Sequence, residues 1–427
     1  MKKTVLAVLV LLMAFSMLYA GGKKEVKAED EPVTLRIAWW GSQARHDATL
    51  AVLDLYTKKT GVQFEAEPLP FDGYFAKLNT LAAANDVWDI IQLGSNFPTY
   101  LDVLEPLDSY VERGLIDVSG TSAGTMSTTR LNGDGALYGI SLGTNTYGIA
   151  YDPALFKAAG VAEPAENWTW ADYEKAALTI HEKLGIFGSS KLDDFISGAS
   201  IRVPQHGDEY KLFAADGSGL GYDDDYPIED YWAIRKRLVD AGAYPDPGRI
   251  NEIKDIEGDF LVRGEAAMTF VASNQFVALS AAAGRPLKMA TLPREKADGP
   301  IGATMQSSQQ FSMFNGSKHK DEVAKFLNFF VNDVEANRIL NAERGNPIMA
   351  PVLKDLQARA DDVKKELYSF MAVMTKLSAI ALNFDVPQQE EIKDLYWRIE
   401  DQVVFGKFTP AEGAKQFRKE AEAIFAK

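Results

Sequence analysis

Between residues 34 and 93, short apolar runs alternate with longer stretches in which apolar residues return every three or four positions. The run Thr34-Leu35-Arg36-Ile37-Ala38-Trp39-Trp40-Gly41 predicts a buried strand that ends in paired aromatics. Residues 45–59 follow with Ala51, Leu53, Leu55 and Tyr56 on or near one face, which predicts a helix closed by Gly61. Residues 62–67 read as a second strand, 75–84 as a second helix and 87–93 as a third strand. Such an alternation implies a parallel sheet with its ligand-facing loops at the strand C-termini. Residues 39–46, 71–74 and 94–100 sit at those ends.

The pattern changes at residues 138–161. Apolar runs 138–142 and 147–151 flank a polar Gly143-Thr144-Asn145-Thr146 segment, so two extended segments are joined by a turn-prone crossing from one lobe into another. A helix should follow, capped by Asp152, begun by Pro153 and ended by Gly160. Further on, Thr169 and Asp172 stand at capping-box spacing, as do Thr409 and Glu412 around Pro410. Helices are expected over 231–240, 276–283 and 321–331, strands over 266–271 and 287–292, and a mostly helical C-terminal third.

A chain of 427 residues exceeds one ordinary core and suits two lobes. Lys2 and Lys3 precede an apolar run from Val5 to Phe15, and Leu18-Tyr19-Ala20 resembles a small-residue cleavage site, so residues 1–20 are expected to be a cleavable export signal. Residues 21–32, rich in Lys, Glu and Asp, read as a flexible leader. The chain has no cysteine, which rules out lipid attachment at the cleavage point and leaves core burial to hold the exported protein together. Loss of Lys2 and Lys3 moves the formal charge from −15 to −17. That field disfavours nucleic acid and anionic membranes as bulk partners, although a pocket with one or two arginines can invert the sign locally.

The chemistry-bearing motifs are mostly excluded. His46, His181, His206 and His319 show no metal-ligand spacing, Asp223-Asp224-Asp225 lacks the positions of an EF-hand, and neither a phosphate loop nor a Gly-x-Ser-x-Gly elbow occurs. No cofactor or metal is expected. The chain does place aromatics and amides where strands end. Trp39 and Trp40 face opposite ways along a strand, so one packs inside and the other faces the cleft. Aromatic faces suit the C–H surfaces of sugar rings, while Asp72, Asn96, Asn145, Asn274 and Gln275, all at ligand-facing loops, suit the hydroxyls.

Trp39-Trp40-Gly41 with Arg45-His46, Phe71-Asp72-Gly73-Tyr74, residues 138–161, Phe260-Leu261-Val262-Arg263-Gly264-Glu265-Ala266-Ala267-Met268 and residues 318–330 resemble the extracellular solute-binding proteins of family 1, the carbohydrate-binding components of ABC importers. The resemblance spans about residues 33–425 and implies an α/β type II periplasmic-binding fold, two lobes with a hinge and a central cleft. It places residues 33–142 and about 303–335 in the N-terminal lobe, and residues 143–302 and about 336–427 in the C-terminal lobe. The implied function is capture of an oligosaccharide for a membrane permease by a periplasmic monomer that does no chemistry. Trp40 and Tyr74, with Trp232 as a third, would stack on sugar. The Arg-His pair and Asp-Gly-Tyr are similar to members that bind oligogalacturonides, so Arg45 and His46 with Arg344 at the cleft rim are candidates to meet a uronate carboxylate. Arg45 bracing the first helix beside a neutral sugar is the equal alternative. Ala83-Ala84-Asn85-Asp86-Val87-Trp88-Asp89 departs from the family pattern, and Tyr147 stands where some uronate binders carry Arg. A polyamine ligand and a secreted glycoside hydrolase are the competing readings.

Overall fold

The computed structural model describes residues 32–426 except 42, 134, 208, 215, 379–385 and the side chain of Asp72. The expected signal segment lies outside the described residues, as does the leader up to residue 31. The chain begins with β1 (Thr34–Trp40), α1 (Gln43–Thr60), β2 (Gln63–Leu69), α2 (Phe71–Ala83) and β3 (Ile90–Leu93), then reaches β4 (Ile140–Asn145). With β10 (Gln306–Met313), these strands form one sheet in the order β2-β1-β3-β10-β4. The first three are parallel, and β10 runs antiparallel to both β3 and β4. Pro68 is tolerated because β2 is an edge strand with a ladder on one side only.

Pleating sends Leu35, Ile37 and Trp39 into one core with Val52, Leu53 and Tyr56 of α1, and Ala38 into another with Tyr74, Leu78 and Trp88. The buried stripe of α1 runs through Val52, whereas Ala51, expected on that face, is exposed. The sheet is thus covered on both faces.

The chain crosses at Thr146 and continues as β5 (Tyr147–Tyr151) and α3 (Pro153–Ala159), where Asp152 caps the first turn and Gly160 adopts φ 69° at the end. The next helix, α4 (Trp170–Leu184), starts at a complete Thr169–Asp172 capping box. A small ribbon of β6 (Lys211–Phe213) and β7 (Leu220–Gly221) leads to α5 (Tyr226–Asp240). Then β8 (Met268–Ala272), α6 (Phe276–Ala283) and β9 (Lys288–Ala290) complete a sheet in the order β8-β5-β9. Residues from 149 to 305 pack in one core, to which the C-terminal helices also contribute.

After β10 come α7 (Lys320–Asn332), α8 (Val334–Leu340) and α9 (Ala350–Arg359). Beyond the boundary expected near residue 336, Ala336, Leu340, Val352 and Leu356 pack in the core of the first sheet. The chain enters the second core with α10 (Asp362–Leu377), through Leu367, Phe370, Met371 and Met374, and stays there through α11 (Gln389–Val404) and α12 (Pro410–Phe425).

The crossing is pinned by a third segment. Thr144 and Asn346 exchange backbone hydrogen bonds of 2.8 and 3.1 Å, and Ser308 Oγ donates to the carbonyls of Gly143 and Arg344. A Cβ on Gly143 would fall inside contact distance of the Arg344 carbonyl and of Gly345. Glycine is required here by the approach of another backbone. Gly143→Ala should therefore destabilise the protein by about 1–3 kcal/mol in urea unfolding. Gly219→Ala, with nothing near its Cβ, should stay within about 0.5 kcal/mol of the parent. Equal losses for the two would refute the close-approach account.

Candidate functional site

The end of β4, the start of β10 and the turn after β8 meet at the crossing, and the 343–346 segment links β4 to the first turn of α1 and, through Arg344 and Gln92, to the end of β1. Trp39 is buried and Trp40 is partly exposed, as strand alternation requires. The Trp40 ring is held edge-on by Tyr74 at 4.9 Å and Phe71 at 5.8 Å, and Phe75 lies tilted at 5.2 Å. Phe71 is itself 59% exposed, so the aromatic surface extends beyond the tryptophan.

Asn145 ends β4 opposite Gln306, and its Oδ1 is buried without a hydrogen-bond partner among the described residues. Thr146 ties the crossing strands together, donating from Oγ1 to the Thr304 carbonyl at 3.0 Å and from its amide to Ser273 Oγ at 3.1 Å. Asn274 and Gln275 are exposed on the turn that follows β8. Asn96 is partly buried after β3, and its Oδ1 accepts from the Gly94 amide at 3.1 Å, which closes that turn.

Several residues expected to contact ligand are buried and engaged within the fold. Tyr74 is fully buried, and its hydroxyl donates to the Gln92 carbonyl at 2.8 Å and accepts from the Gln92 amide at 2.9 Å. It satisfies β3 backbone just past the Ile91 register position where pairing with β1 stops. Trp232 is also fully buried, against Tyr396 at 4.9 Å and Phe417 at 6.3 Å, because α5 packs that face on α11 and α12. Arg344 lies beneath the surface at 1% exposure rather than at a rim. The side chain of Asp72 lies outside what the structure describes.

Arg45 and His46 share the first turn of α1 and remain partly exposed. Arg45 Nε is 3.7 Å from Glu343 Oε1, and its guanidinium donates to the Glu343 carbonyl at 3.3 Å. Burial, then the charges of Arg344 and Arg45, hold the His46 imidazole below its ordinary value of 6.5, against a smaller opposing pull from Asp47.

The structure also adds residues. Tyr147 stacks on Phe270 at 5.1 Å with 25° between the rings, and its hydroxyl is paired with the Gln306 side chain. Asp193 faces that phenol, and burial raises the carboxyl above its usual range. In sequence, Tyr147 was visible as a strand start, but its pairing with Phe270 depends on the β5–β8 register. A hollow of about 480 Å³ lies elsewhere, lined by Phe156, Val161, Trp168 and Lys175, and no residue of the crossing contributes to it.

The family description of the bacterial extracellular solute-binding proteins matches residues 51–367. The chain belongs to that family. This solute-binding protein is similar in structure to an extracellular solute-binding protein of family 1 from Alicyclobacillus acidocaldarius, with a TM-score of 0.82 and 25% identity over 93% of this chain and all of that one. It is also similar to a periplasmic oligogalacturonide-binding protein from Yersinia enterocolitica, with a TM-score of 0.76 and 22% identity over 92% of this chain and 99% of that one. A Brucella abortus protein named as a binding protein is 25% identical over 386 residues, 86% of this chain and 87% of its own length. The α/β two-lobed architecture expected from the sequence holds.

Two outcomes follow for this solute-binding protein. Trp232→Ala should cost about 3–5 kcal/mol of stability, whereas Trp40→Ala, at a partly exposed ring, should cost less than half of that in the same urea titration. A histidine pKa that is lowered on folding adds stability that is present above 6.5 and lost as pH falls through the folded value. NMR titration of His46 should accordingly show a midpoint below 6.5, and His46→Gln should flatten the decline in stability on acidification.

Proposed function

We propose that this protein captures an oligosaccharide between its lobes and presents it, chemically unchanged, to the permease of an ABC importer. The observation that carries this reading is the partly exposed Trp40 ring at the end of β1, braced by Phe71, Tyr74 and Phe75; the amides of Asn145 and Gln306 stand opposite each other at the crossing. A braced aromatic offers a flat C–H-complementary surface at little entropic cost, and amides both donate to and accept from hydroxyls. Tyr147 with Phe270, and Asn274 with Gln275, supply the same two chemistries from the second sheet. The oligogalacturonide-binding protein from Yersinia enterocolitica supports a sugar oligomer as the ligand class.

In this reading the lobes rotate about the connection at Thr146 and the chain entering β10, while the 344–346 segment stays docked on β4. Residues 1–20 act as a cleavable export signal, and the mature protein works as a periplasmic monomer without nucleic-acid partners.

A thermal-shift and calorimetric panel of galacturonides and neutral xylo-, malto- and gluco-oligosaccharides tests the proposal. At a ligand concentration of about 100 Kd, the cognate sugar should add about 2.7 kcal/mol to stability. Trp40→Ala and Asn145→Ala should each weaken binding about tenfold or more with the fold intact. Sugar cleavage on incubation, or unaltered affinity in both variants, would overturn the reading.

A further inference from the structure

The guanidinium of Arg344 lies buried between Phe311 and Phe330, 5.1 and 5.6 Å from their ring centroids. It donates to Gln92 Oε1 and, at 2.8 Å, to Thr49 Oγ1, while its Nε has no partner among the described residues. The neighbouring carboxylate, Glu343, pairs with Arg45 instead. A buried cation whose hydrogen bonds among the described residues go to neutral acceptors, with Glu343 only a weaker attraction behind burial and Arg45, is unfavourable for folding. Burial, and then Arg45, oppose its charge, yet a guanidinium keeps its proton.

The same sign of charge continues at the first turn of α1. Arg45 stands there, beside the neutral His46 ring and with no acidic residue in that turn, at the end of an 18-residue helix where the backbone is already positive. Helices ordinarily place acids at that end, and the reversed choice suits an anion arriving from outside. The nearby carboxylates of Asp47 and Glu343 both reach solvent. Arg344 is wired to the site at two points. Thr49 accepts from it and donates to the Arg45 carbonyl at 2.7 Å, and the Gln92 side chain accepts from it and donates to the Trp40 carbonyl at 3.2 Å.

We infer that Arg344 is a positioning residue for a carboxylate-bearing ligand: a buried cation that orients the Arg45 turn and the end of β1 and biases the cleft toward negative charge. This rests on the capture reading. Arg45 is the group that meets the ligand carboxylate, exchanging its contact with Glu343, and Arg344 acts from behind without touching the ligand.

Calorimetry with trigalacturonic acid and uncharged maltotriose, on the parent, Arg344→Met and Arg344→Lys, tests the inference. The parent should favour the acid by about tenfold or more, Arg344→Met should reduce that preference to about threefold or less, and Arg344→Lys should keep most of it. In parallel, the His46 midpoint should rise in Arg344→Met and stay depressed in Arg344→Lys, which a purely structural brace would not produce. Equal weakening of both sugars in Arg344→Met with an unchanged ratio would overturn the inference. Should that variant fail to fold, the parent's ratio and Arg344→Lys decide: equal binding of the two sugars by the parent, or a lost preference in Arg344→Lys with the His46 midpoint still depressed, would also overturn it. Binding of maltotriose alone removes the charge inference and leaves oligosaccharide capture standing, while binding of neither, together with no response across the neutral panel, removes both.

Discussion

Backbone packed directly against backbone at Gly143 is the contact on which the interlobe crossing depends. β4 can lie against the 344–346 segment only because residue 143 has no side chain, and the Thr144–Asn346 bridge and the Ser308 hydroxyl then fasten the pair. Through this clasp a loop from late in the chain is brought beside the first turn of α1 and the end of β1. Arg344 and Glu343 reach the site because of it. The strands change sheets at the short connections at Thr146 and before Gln306.

Around that clasp, some aromatics are buried as scaffolding and others stay partly exposed. Tyr74 spends its hydroxyl on the backbone of Gln92, and its ring edge supports Trp40. Phe311 and Phe330 enclose the Arg344 guanidinium. Trp40, Phe71, Tyr147 and Phe270 remain available, and they come from both sheets. A ligand gripped from both sides favours the closed arrangement by its differential contacts with the two lobes, which is the thermodynamic requirement for a trap.

The electrostatics run against the bulk composition. A chain with a formal charge of −15 repels anions over most of its surface, yet concentrates Arg45, His46 and Arg344 around one helix N-terminus. Burial makes that concentration effective, because charges withdrawn from water are screened far less by salt than the surface acids around them. His46, held below its ordinary pKa by burial and then by the two arginines, contributes a neutral ring at pH 7 and adds no further repulsion to the pair.

The local elements were legible in the sequence because their causes are local. Asp152, Pro153 and Gly160 delimit α3, Thr169 with Asp172 opens α4, Thr409 with Glu412 opens α12, and strand alternation separated Trp39 from Trp40. The α/β class followed from the alternation of strands and helices over residues 34–93, the two lobes from chain length, the crossing and the family resemblance, and Asn145 was placed at the crossing by its flanking apolar runs. Tertiary structure decided the rest. The burial of Trp232 depends on α11 and α12, which arrive more than 150 residues later. The hydroxyl of Tyr74 has a use only because β1 and β3 part after Ile91. The pairing of Tyr147 with Phe270 and the sinking of Arg344 beneath α1 rest on strand register and on a backbone clasp between distant segments. Local periodicity reports which face of an element is apolar; only the packed chain determines which distant residue covers it.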